Sequence, residues 1–100
     1  MILAAALAAA ATAPGPYVAY LQPGCVWDNR KPVEVVTLRP GQPLNVENLD
    51  RKPRRFSLLP EIPIGEGDLV GTGYRAGVHR VTACDGRARL IVSVHPRWRR

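Results

Sequence analysis

Two cysteines, two histidines and two dense arginine clusters are the side chains of this sequence with chemistry to offer. Cys25 and Cys84 stand far apart, without the Cys-x-x-Cys spacing that lowers a thiol pKa in redox pairs. They read as a structural disulfide between the first strand region and the penultimate strand. A bridge closing so long a loop stabilises by roughly 4 kcal/mol in the chain-entropy picture. That matters in a chain of 100 residues, which is one domain at most and buries a modest core. His79 and His95 flank a turn centred on Asp85-Gly86. A mirror about that turn puts His79 opposite Ile91 or Val92 and leaves His95 beyond the pairing, so the two do not form a metal pair.

The runs Arg51-Lys52-Pro53-Arg54-Arg55 and Pro96-Arg97-Trp98-Arg99-Arg100 hold seven of the fourteen cations of a chain whose net charge is +6. As a site, Arg51, Lys52, Arg54, Arg55, Arg97, Arg99 and Arg100 would make a basic face for a polyanion. Trp98 would then stack or sit at a membrane interface. As ordinary sequence they are a solvated loop and a chain end, which is the plainer reading. Twelve of the cations are arginine among many alanines, prolines and glycines. A GC-rich gene produces the same bias, so the excess does not by itself name a partner.

No catalytic signature emerges. The eight carboxylates are scattered, and neither Ser57 nor Ser93 lies in a nucleophile elbow. Gly65-Glu66-Gly67 and Gly71-Thr72-Gly73 precede no helix, so they are turns or a flexible lip and not phosphate cradles.

The elements that must position these residues are short and extended. Residues 1–13 are apolar, alanine-rich and too short to span a bilayer. With Ala11-Thr12-Ala13 as a small-residue cleavage pattern, they read as a secretory signal peptide. That implies a secreted or periplasmic protein, an oxidising compartment and a paired Cys25 and Cys84. Residues 14–95 then form the domain and 96–100 a basic tail. Strands are expected over 17–21, 33–38, 44–48, 56–59, 78–84 and 90–94, with Asp85-Gly86 as a hairpin turn. Leu44 and Val46 should share one face of their strand, Asn45 and Glu47 the other. Five glycines and two prolines over residues 60–77 predict mostly loop. The result is an all-β, small Greek-key β-sandwich of about seven strands, with Trp27 packed over the disulfide.

Two stretches refine that architecture. Residues 38–50, Leu-Arg-Pro-Gly-Gln-Pro-Leu-Asn-Val-Glu-Asn-Leu-Asp, and residues 74–94, running through Gly77 and Cys84 to Leu90-Ile91-Val92-Ser93-Val94, resemble the cupredoxin family. The first is similar to that family's strand, Pro-Gly turn and strand ending in Asn. The second is similar to its closing hairpin, which delivers the copper cysteine. An immunoglobulin-like sandwich is the alternative, since it too delivers a cysteine from a penultimate strand. The resemblance implies a copper histidine a few residues after Asn48, where this chain has Lys52-Pro53-Arg54-Arg55. It implies His and Met after Cys84, where the loop is Asp85-Gly86-Arg87-Ala88-Arg89. Arginine stays protonated and has no lone pair for a metal. The expectation is a degenerate member lacking the copper ligands.

The function expected is therefore an exported, non-catalytic accessory or binding domain with no cofactor. Its partner would be a protein or an acidic polymer, met through the residues 65–73 loop or the residues 51–55 segment. One alternative is a divergent copper carrier or electron-transfer protein using Cys84 with His79 and His95. Another is a cationic surface for acidic polymers or membranes. Nucleic acid fits poorly with export.

Overall fold

A computed structural model describes residues 15–96, which form six strands and, among the described residues, no helix. Consequently no helix there is long and apolar enough to cross a membrane. The expected signal peptide and residues 97–100 of the expected tail lie outside the described residues.

The strands are β1 (Tyr17–Leu21), β2 (Val33–Leu38), β3 (Leu44–Asn48), β4 (Leu69–Thr72), β5 (Gly77–Ala83) and β6 (Ala88–Val94). They make two three-stranded sheets, ordered β1-β3-β4 and β2-β6-β5. Because β2 leaves the first sheet for the second and the chain then returns, β1 meets β3 in parallel. β2 likewise meets β6 in parallel, while β5 and β6 form the antiparallel hairpin. Each sheet thus mixes parallel and antiparallel pairs, unlike the antiparallel sheets of an immunoglobulin sandwich.

Alternation explains the core. Along β3, Leu44, Val46 and Asn48 point inward and Asn45 and Glu47 outward. Along β6, Ala88, Leu90, Val92 and Val94 point inward. One apolar cluster results, joining both sheets and including Trp27, Phe56, Cys25 and Cys84.

Two expectations are corrected. Residues 56–59 are not a strand. Phe56 makes one isolated bridge to Ala83 and is buried, but the chain turns at once, with the Leu59 amide donating to the Phe56 carbonyl at 3.0 Å. The excursion is closed at its base where Arg54 and Ile64 exchange backbone hydrogen bonds of 3.0 and 2.8 Å. Conversely, residues 60–77 are mostly loop as expected, but Gly71 and Thr72, expected in a turn or lip, lie in β4. Gly71 belongs to that strand for a steric reason. A Cβ there would strike the Asn45 side chain and come within 3.2 Å of the Leu44 carbonyl oxygen.

Candidate functional site

The end of the sandwich carrying Cys84 is assembled from three loops. Cys84 opens the β5–β6 turn, and its sulfur is bonded to that of Cys25 in the β1–β2 connection, 59 residues earlier. The Cα atoms are 6.3 Å apart, within the range a disulfide bridges without moving the backbone. Both cysteines are buried. The turn is tight: the Gly86 amide donates to Ala83 and the Arg87 amide to Cys84, each at 3.1 Å. It holds Cys84 and Asp85 at φ 57° and 56°, the left-handed region that L-residues rarely adopt. Cys25 has φ 62°. The Arg87 side chain lies across the bridge, its Nε donating to the Cys84 carbonyl at 3.3 Å.

The third loop follows β3. Asn48 is fully buried, and its amide makes three hydrogen bonds that define the loop's path. Nδ2 donates to the carbonyls of Ile64 (2.7 Å) and Lys52 (3.1 Å), and Oδ1 accepts from the Asp50 amide (2.9 Å). Asp50 is also buried. It accepts from the Lys52 amide at 3.2 Å and from Arg54 through Nε at 3.1 Å and Nη2 at 2.9 Å. Burial on its own would raise the Asp50 carboxyl. The Lys52 amide and the Arg54 guanidinium outweigh it and hold the group below the usual carboxylate range.

These contacts redistribute the basic run. Arg54 is tied to Asp50, and Arg55 donates through Nη1 to the Pro60 carbonyl at 2.7 Å. Arg51 and Lys52 are exposed, as is Arg55. Residues Arg97, Trp98, Arg99 and Arg100 lie outside the described residues.

The histidines sit elsewhere. His79 is paired with Val92, one of the two positions expected for it. It stacks on Tyr74 with ring centroids 4.3 Å apart, and its Nε2 is 2.7 Å from the Arg75 carbonyl. Burial raises the Tyr74 phenol. His95 follows the end of β6, where its amide donates to Leu38 at 3.2 Å. With Val94, Pro40, Tyr74 and Arg75 it lines a shallow cavity of about 330 Å³. At about 3.3 Å per strand residue, His79 is about 16 Å along β5 from Cys84, and His95 lies more than about 20 Å away. Metal–ligand bonds are on the order of 2 Å. Cys84, His79 and His95 are not brought together, and among the described residues no three His, Cys, Asp or Glu side chains are grouped to hold a metal.

No protein-family model matches this chain, and no curated protein matches it in sequence. Among solved structures it resembles a methionine-to-alanine mutant of amicyanin in the Cu(I) form, with a TM-score of 0.56 at 16% identity. The match covers 80% of this chain and 82% of that one. The fold is cupredoxin-like. Copper, named for that protein, is poorly served by the residues here. The two cysteines of the chain, Cys25 and Cys84, are bonded to each other, so neither offers a free thiolate to a metal. The segment after Asn48 presents Arg54, a cation already paired with a carboxylate.

The residues missed in the sequence are Asn48 and Asp50, which organise the loop on which the basic run is carried. Asn48 was legible in principle: it continues the inward face of Leu44 and Val46, and a polar residue there needs partners.

Proposed function

We propose that this chain is an exported cupredoxin-like binding domain that has exchanged copper chemistry for a structural disulfide, and that it catalyses no reaction. The observation that carries this reading is the Cys25–Cys84 bond, which removes the thiolate a blue-copper centre requires. The arginine-rich loop supports it, because guanidinium groups repel a cation and cannot ligate one. The disulfide also supports export to an oxidising compartment. In this reading the cupredoxin-like frame serves as a rigid scaffold whose surface, not whose metal, meets the partner. A protein or an acidic polymer suits the net charge of +6.

The test is copper addition, as Cu(II) to the protein as exported and as Cu(I) followed by oxidation to the reduced protein. The reading expects no intense visible thiolate-to-copper band in either case. Such a band from the unreduced protein would replace this function with electron transfer.

A further inference from the structure

The outward face of the β2-β6-β5 sheet departs from what a solvated sheet carries. Sandwich sheets usually show water polar residues in alternation with their buried ones. Here Val36 and Leu38 point in from β2, so Val33, Val35 and Thr37 point out. The outward set of β6 is Arg89, Ile91 and Ser93, and that of β5 is Val78, Arg80 and Thr82. Val35 and Val78 are 66% and 71% exposed, and Val33 is 38% exposed.

The register makes a patch of them. Val35 pairs with Ile91, and Ile91 pairs with Arg80. On one side of that row lies Val33 with Arg89 and Thr82, and on the other Thr37 with Ser93 and Val78. At about 4.8 Å between strands and about 3.3 Å per residue, the nine positions span about 10 by 13 Å. Four are aliphatic, three carry hydroxyls, two are arginine and none is a carboxylate. The only acidic residue of β2, Glu34, falls on the opposite alternation and accepts from the Asn29 amide at 3.2 Å. The outward face of the other sheet, by contrast, bears Glu47 in register with Tyr20 and Leu69.

We propose that this face is a docking surface for an acidic, aliphatic patch on a partner protein. The inference rests on reading the chain as a binding domain. Charge complementarity selects the partner: two arginines with no neighbouring carboxylate on the face favour an acidic surface and steer its approach. A second copy of a chain with net charge +6 is repelled. A lipid surface is less well suited, since the face has no aromatic residue to seat at the headgroup level. The patch is about the size of the central part of a small interface, so the complex is transient and salt-sensitive.

The experiment follows amide shifts of the labelled full chain on adding a soluble peptide that alternates valine and glutamate. A valine–lysine peptide, anionic vesicles of phosphatidylglycerol in phosphatidylcholine, and sedimentation of the chain alone run beside it. The expected result is shifts over residues 33–37, 78–82 and 89–93 with the glutamate peptide, and none with the lysine peptide. Arg80→Glu with Arg89→Glu should weaken the glutamate peptide about tenfold or more and admit the lysine peptide. Val35→Ser with Val78→Ser should weaken binding while leaving the dispersion of the spectrum intact. If the paired charge reversal does not fold, Arg80→Glu alone carries the same comparison. Shifts confined to residues 51–55, unchanged affinity after charge reversal, no binding, vesicle binding through this face, or a dimer that buries it would overturn the proposal. None of these outcomes bears on copper, so the failure of this inference and the failure of the proposed function are read separately.

Discussion

The Arg54 guanidinium closes onto Asp50 four residues earlier, Nε and Nη2 both reaching one carboxylate oxygen, at 3.1 and 2.9 Å. The pair is largely withdrawn from water, with side-chain exposures of 20% and 8%. It therefore counts for more than a surface ion pair, whose median contribution is small. Arg54→Ala leaves a buried carboxylate with only backbone amides to answer it and should cost about 2–3 kcal/mol in urea unfolding. A loss no larger than that of Arg51→Ala would show the pair to be solvated.

The same pair sets an acid limit. The folded Asp50 carboxyl lies below its unfolded value of about 3.9, so its contribution is complete above that pH and is lost as pH falls through the folded value. Stability measured down the acid limb should decline more steeply in the native protein than in Asp50→Asn. Parallel declines would assign the acid sensitivity to other carboxylates.

Asn48 predicts an ordering of variants. Asn48→Ala strands the Lys52 carbonyl and the Asp50 amide and leaves the Ile64 carbonyl with the Arg54 amide as its donor, at about 2–4 kcal/mol in all. Asn48→Asp should be worse, because it places a carboxylate oxygen where Nδ2 faces two carbonyls. Thermal melts rank the two, and an aspartate variant as stable as the wild type would contradict this hydrogen-bond assignment.

Trp27 is fully buried, and its indole Nε1 donates to the Pro32 carbonyl at 3.1 Å. Trp27→Ala should cost about 3–5 kcal/mol. Trp27→Phe keeps much of the apolar body and loses the bond, so it should cost clearly less. Equal melting temperatures for the two variants would mean that the ring is not what the core needs.

Much of the fold was readable because period-two alternation survives in β3, β5 and β6, and because Asp85-Gly86 and Pro40-Gly41 punctuate them. Counting outward from one turn brings His79 to Ile91 or Val92, and the register selects Val92. What was not readable depended on contacts distant in sequence. Gly71 looks like a loop residue until Asn45 is laid against it, and Phe56 looks like a strand until residues 54 and 64 are closed. The binding face was hidden for a related reason. Valines suggest burial, and only the cross-strand register shows that Val33, Val35 and Val78 share the outer side of a sheet. Arg54 was grouped with its charged neighbours because sequence shows charge and not the carboxylate that answers it.

Removing the bridge in both Cys25→Ser and Cys84→Ser should lower stability by roughly 4 kcal/mol, and the wild type in reductant should fall by a similar amount. A smaller loss would place compensating structure in the unfolded chain.

The most direct measurement is the intact mass of the protein purified without reductant, under native and denaturing conditions, with and without thiol alkylation. The expected result is a mass lighter than the dithiol by a pair of hydrogens, no alkylation at Cys25 or Cys84, and no copper adduct. Label on Cys84, or a mass raised by one copper ion, would contradict it.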